Sequence, residues 1–119
     1  MKSICPTKIH SELPSGILLD IREKFEFDTY RANYERVMNL PFSEFENIVE
    51  TLNGNQKFIL ICNNGLRSKT AAQYLKERGF KDVSYINGGL VKWQQNDLEI
   101  IGNPPDLISH SLSLTKECL

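Results

Sequence analysis

The residues best suited to chemistry lie in one stretch. Cys62 ends a short apolar run, Phe58-Ile59-Leu60-Ile61. A polar, glycine-containing turn follows, Asn63-Asn64-Gly65-Leu66-Arg67, and then Ser68. Thiols at helix N-termini or beside cations titrate below the ordinary value of about 8.5, and the thiolate is the nucleophilic form. The run before Cys62 suits a buried strand. Lys69 to Arg78 reads as a helix stopped by Gly79. A strand, a tight loop and a helix start together aim main-chain N–H groups and the positive end of the helix dipole at one point. The spacing predicts a nucleophilic sulfur at position 62, able to attack an electrophilic sulfur, with Arg67 closing the loop and the loop amides holding the anion that forms. A core cysteine that happens to end a strand is the plainer alternative. Gly65, Arg67, Ser68 and the helix behind them favour the reactive one.

Several elements must position this loop. Gly16-Ile17-Leu18-Leu19-Asp20 reads as a central strand, which puts Asp20 and Arg22 at its C-terminal edge, where open α/β sheets bind ligands. The favoured role for these two is a structural ion pair or cap. Glu23 to Tyr30 reads as a short helix or turn. Phe42 to Leu52 reads as an amphipathic helix, with Phe42, Phe45, Ile48, Val49 and Leu52 on one stripe and Ser43 and Glu46 spaced as a capping box. Ala71, Ala72 and Leu75 give the helix after the loop a small, close-packing face, and Ser68 is expected to cap it. Val83 to Ile86 is a further strand, Gly88-Gly89 a tight turn, and Leu90 to Gln95 a short helix in which Trp93 fills the core. Lys2 to Cys5 suits a short edge strand, and Ser11 a single helical turn. Strands alternating with helices predict an α/β fold with a mostly parallel sheet.

Four ordered blocks of this chain resemble the single-domain rhodanese sulfurtransferases. Cys62-Asn63-Asn64-Gly65-Leu66-Arg67-Ser68 resembles the family's CxxGxRS loop. Ile17-Leu18-Leu19-Asp20-Ile21-Arg22 is similar to its LLDxR strand, Asn39-Leu40-Pro41 to its NIP segment, and Tyr85 to Trp93 to its LxGGxxxW motif. The likeness covers residues 3–97, and four blocks in order are far more specific than one short motif. It implies a rhodanese-like fold, a small and mostly parallel central sheet of about five strands with helices on both faces. It implies a sulfurtransferase in which Cys62 takes the sulfane sulfur of thiosulfate or a persulfide and passes it to a thiol or cyanide acceptor. Residues 63–68 would form the active-site loop, with Arg67 either orienting an anionic donor or bracing the loop, and Asp20 and Arg22 would brace it from outside. A sulfur-carrier or protein-interaction module with little turnover, serving a relay partner, is the main alternative. Phosphatases and arsenate reductases on this fold use a loop one residue longer. Here the four residues Asn63 to Leu66 separate Cys62 from Arg67, which suits sulfur better than a tetrahedral oxyanion. Residues 31–38 depart from the family's GHIxGA pattern, with Asn33 at the histidine position and Arg36 at the glycine, which requires ordinary backbone angles at Arg36.

The chain has 119 residues, 40% apolar and 24% charged, which suits one soluble domain. Its formal net charge of −1 provides no basic field for nucleic acid. No apolar run is long enough to span a membrane, and the first residues lack the apolar core of a signal peptide, so a cytoplasmic protein is expected. No CxxC, paired-histidine or phosphate-binding glycine pattern occurs, so neither a metal nor an organic cofactor is expected. Three widely spaced cysteines, Cys5, Cys62 and Cys118, read as reduced thiols rather than a disulfide framework. The expected division is a domain over 1–101 and a Pro- and Ser-rich tail over 102–119. In that tail Cys118 reads as an inert thiol, with a second sulfur-relay thiol as the minor alternative. His10 has no ligand pattern around it and reads as a surface or packing residue.

Overall fold

The structure, a computed structural model, describes residues 1–12, 14–107 and 115–118. In chain order its elements are β1 (Ser3–Ile4), a 3-10 helix (Pro6–Glu12), β2 (Ile17–Asp20), α1 (Lys24–Thr29), β3 (Tyr30–Ala32), β4 (Val37–Asn39), α2 (Phe45–Ile48) between two short 3-10 segments, β5 (Lys57–Ile61), α3 (Leu66–Glu77), β6 (Asp82–Ile86), α4 (Gly89–Gln95) and β7 (Ile100–Gly102). Five strands form one sheet in the order β1-β6-β5-β2-β4, every neighbouring pair parallel. β5 lies at its centre, so the residue that leaves its C-terminal end leaves at the middle of the sheet edge.

The pleat of β5 divides the core in two. Phe58, Leu60 and Cys62 face α2 and α3 and pack with Phe45, Val49, Ala71, Ala72 and Leu75. Ile59 and Ile61 face α4 and the first 3-10 helix and pack with Ile9, Ile86, Leu90 and Trp93. A strand apolar on both faces is what a parallel sheet with two covered sides requires. Trp93 fills the second face, 1% exposed, and its indole N–H donates to the Glu99 carbonyl at 2.9 Å, which satisfies its one donor.

The sequence reading needs four corrections here. The expected helix Phe42–Leu52 is broken into 3-10, α and 3-10 pieces. Its capping box does not form: the Ser43 hydroxyl donates to Glu23 at 2.7 Å instead, and the reciprocal cap appears on α1 between Glu23 and Glu26. Phe42 leaves the stripe and is 39% exposed. Pro6 to Glu12 is a 3-10 helix, so the helical turn comes earlier than Ser11. Residues 30–39 hold two strands the pattern did not show, and β3 pairs antiparallel with β7, setting Arg31 opposite Ile101. The last correction concerns sulfur. Cys5 and Cys118 are joined in a disulfide with their Cα atoms 5.7 Å apart, so Cys62 alone is a free thiol and neither Cys5 nor Cys118 is a reduced one. Most of the Ser-rich part of the tail lies outside the described residues.

Candidate active site

Cys62 stands one residue past the end of β5, and Gly65 turns the chain into α3. Gly65 has φ +92°, a left-handed conformation that glycine adopts at no steric cost, and an added Cβ would lie 3.0 Å from the Gly88 nitrogen. The Asn64 side chain accepts from the Leu66 N–H at 3.1 Å and holds the turn. The helix starts at Leu66, three residues earlier than the pattern suggested, so Ser68 lies inside its first turn and is not the cap.

That early start shapes the sulfur's surroundings. Cys62 Sγ accepts the main-chain N–H of Gly65 at 3.2 Å and that of Ser68 at 3.3 Å. The Ser68 hydroxyl lies 3.4 Å from the same sulfur and 3.2 Å from the Gly65 carbonyl. Two amides and the N-terminus of a twelve-residue helix thus converge on one sulfur. Of the five loop amides expected to ring it, Gly65 does so, Leu66 is engaged by Asn64, and the second donor comes from Ser68. Cys62 is 4% exposed.

A roof and a floor hold this loop. The roof is the turn into α4. The Leu90 N–H donates to the Cys62 carbonyl and the Val91 N–H to the Asn63 carbonyl, both at 2.9 Å. Gly89 sits so close that a Cβ there would lie 2.3 Å from the Cys62 carbonyl oxygen. The floor is the pair Asp20 and Arg22, 0% and 1% exposed. Arg22 reaches Asp20 with Nε at 3.0 Å and Nη2 at 2.8 Å, and Nη2 also donates to the Tyr30 carbonyl at 2.6 Å. Its guanidinium stacks 4.6 Å from the Tyr30 ring centroid. The Tyr30 hydroxyl donates to Asn63 at 3.3 Å, and the Asn63 amide donates to Glu26 at 3.2 Å. The buried ion pair is thereby connected to the loop through Tyr30, and Glu26 holds the same asparagine from α1; sequence reasoning missed both. Their contacts are between elements, and no local pattern marks them.

Arg67 lies at the outer side of the loop. It is exposed, and its guanidinium lies 5.5 Å from the centroid of the Phe42 ring. Two large apolar side chains stand exposed beside it, Leu66 of the loop at 71% and Phe25 of the neighbouring α1 at 70%.

Comparison with known proteins agrees on a family, while the relatives' named functions differ. The rhodanese-like domain family model matches residues 6–96. The chain is 36% identical over 76 residues to "Putative sulfur carrier protein YrkF" of Bacillus subtilis, covering 64% of this chain and 40% of that protein. It is 32% identical over 92 residues to the tRNA uridine(34) hydroxylase of Leptospira interrogans, covering 71% of this chain and 24% of that one. It is 30% identical over 77 residues to "Putative sulfurtransferase YtwF" of Bacillus subtilis, covering 65% and 72%. The chain therefore spans less than half the length of the first two. Among solved structures, a rhodanese-related protein from Thermoplasma volcanium superposes with a TM-score of 0.76 at 24% identity, covering 87% of this chain and all of that one.

Proposed function

The chain belongs to the rhodanese-like domain family, and on that premise we propose that it is a sulfurtransferase of the cytoplasm that works through a Cys62 persulfide. The observation that carries this is the pair of main-chain N–H groups, from Gly65 and Ser68, directed at one free sulfur. The Cys62 thiolate attacks the sulfane sulfur of thiosulfate or a persulfide. The donor's S–S bond breaks, sulfite or a thiolate leaves with the electron pair, and Cys62 keeps the sulfur as a persulfide anion. A thiol or cyanide then takes that sulfur and returns Cys62 to the thiolate. Amides already aimed at the sulfur need no reorganisation when charge develops there, which is how an oxyanion hole assists acyl transfer. Arg67, on the outer rim, meets an anionic donor on approach. Asp20 and Arg22 position the loop through Tyr30 and do not touch the reacting atoms.

A protein acceptor is supported by one further observation. The exposed Leu66, Phe25 and Phe42 around the loop offer apolar contact that neither thiosulfate nor cyanide needs. The deciding measurement is intact mass after incubation with thiosulfate, mercaptopyruvate or a small persulfide. Gain of one sulfur atom that Cys62→Ser abolishes is the expected result. No adduct from any sulfane donor defeats the proposal.

A further inference from the structure

The three cysteines are far apart in sequence, yet Cys5, which is bonded to Cys118, and Cys62 leave the same edge of the sheet. Ser3, Tyr85 and Leu60 lie in one row across β1, β6 and β5. Two residues on in each strand come Cys5, Asn87 and Cys62, all at the C-terminal edge. Strands lie about 4.8 Å apart, so the same register carried past the strand ends sets the backbones of Cys5 and Cys62 about 10 Å apart. Cys118 is bonded to Cys5, and its own segment is fastened to the same edge. Lys92 Nζ donates to the Glu117 carbonyl at 2.7 Å and to Asn87 Oδ1 at 2.9 Å, and the Asn96 amide donates to the Lys116 carbonyl at 3.0 Å.

This disulfide is not a buried staple. Both of its cysteines are only partly buried, and both line an open depression with Lys2 and Lys8 in its wall. The Thr7 hydroxyl donates to Cys5 Sγ at 3.3 Å. Access favours thiol–disulfide exchange at such a bond.

We propose that Cys5 and Cys118 are a resolving dithiol that strips the sulfane sulfur from Cys62 and releases it as sulfide, the disulfide being the product. The inference rests on the persulfide reading of Cys62. With the pair reduced, the Cys118 thiolate attacks the outer sulfur of the Cys62 persulfide. The bond between that sulfur and Cys62 breaks, and Cys62 leaves as a thiolate on the Gly65 and Ser68 amides. The Cys5 thiolate then attacks Cys118 Sγ, the Cys5–Cys118 bond forms, and hydrosulfide departs. The sulfane sulfur gains two electrons and the dithiol loses two. The two thiol protons leave with the sulfide. Sulfane sulfur is itself the oxidant, so the disulfide requires no oxidising compartment. Further turnovers require an external dithiol to reopen it.

The test is a single turnover. The chain is reduced, freed of reductant without air, kept dilute and given one equivalent of thiosulfate or a small persulfide. Wild type is expected to lose two hydrogens in intact mass, to release one sulfide per chain, and to have neither Cys5 nor Cys118 open to alkylation. Cys62→Ser should do none of this at a comparable rate. Cys118→Ser should stop at the Cys62 adduct, and Cys5→Ser should carry the extra sulfur without releasing sulfide. Wild type that keeps the sulfur on Cys62 with both other thiols alkylatable overturns the relay and leaves the Cys62 reading intact. Absence of any adduct in Cys118→Ser and Cys5→Ser alike overturns both.

Discussion

Gly89 should be the most sensitive position in the roof of the Cys62 loop, and Gly79 supplies its control. Both have positive φ, +57° and +92°. A Cβ at Gly79 meets nothing within 4 Å, whereas one at Gly89 would lie 2.3 Å from the Cys62 carbonyl oxygen and 2.7 Å from the Asn63 carbonyl carbon. Placing alanine in left-handed backbone costs about 1–2 kcal/mol at either site. At Gly89 the clash is with main chain, which cannot rotate away. Relief requires the α4 turn and the loop to separate. That weakens the bonds from Leu90 and Val91 to the Cys62 and Asn63 carbonyls, each worth about 0.5–1.5 kcal/mol. The expected totals are about 1–2 kcal/mol for Gly79→Ala and about 2–5 kcal/mol for Gly89→Ala, out of a stability of order 5–15 kcal/mol. Urea unfolding followed by fluorescence of the buried Trp93 measures both. The rate of persulfide formation then separates the two variants in function. Gly79→Ala should match wild type, and Gly89→Ala should be at least tenfold slower because the Gly65 and Ser68 amides move with the loop. Equal stability losses, or a Gly89→Ala protein of normal rate, would show that roof contact does not set the sulfur's surroundings.

Three further outcomes are expected. Arg22→Met should destabilise by about 3–5 kcal/mol, since it strands the Asp20 carboxylate at 0% exposure; adding Asp20→Asn should recover part of that loss, and a double-mutant cycle by urea unfolding measures the coupling. Ser68→Ala removes the hydroxyl but keeps the N–H on Cys62, so persulfide formation should persist within a few-fold while stability falls by about 1 kcal/mol; loss of the adduct in a folded Ser68→Ala protein would assign the chemistry to the hydroxyl. Lys57 is held above its ordinary value of 10.5, chiefly by its hydrogen bond to Glu12. A raised folded value means that the pair's stabilisation is fully present below the unfolded value and is lost as pH rises through the folded one. The stability gap between wild type and Lys57→Met should therefore be flat from pH 7 to about 9.5 and close above 10.5, and a gap that widens with alkali would contradict the pairing.

How much of this was legible in the sequence follows from the range of the interactions. The cradle around Cys62 was readable because its causes are local: an apolar run, one glycine in left-handed backbone and a helix start fall within eleven residues, 58–68. Even there the helix began earlier than its apolar spacing implied, because Asn64 engages the Leu66 N–H and so brings the Ser68 amide onto the sulfur. The expected 42–52 helix failed for a tertiary reason. The Phe42 N–H is taken by the Ile21 carbonyl and the Ser43 hydroxyl by Glu23, so the first turn is anchored to the segment between β2 and α1 and departs from α geometry. Periodicity still found Phe45 and Val49, which are buried, but not Phe42, which turns out to meet Arg67. The β3–β7 pairing and the Cys5–Cys118 bond join segments far apart in the chain, the latter across 113 residues, and no spacing rule reaches that far. The reactive loop is thus local, but its roof and floor are not: Gly89 comes from beyond β6 and Arg22 from beyond β2. The CxxGxRS block identifies the sulfur, whereas the loop around it is held by Gly89 and Arg22, which stand in the LxGGxxxW and LLDxR blocks far from it in the chain. This is why variants at Gly89 and Arg22 discriminate more sharply than another substitution within residues 62–68.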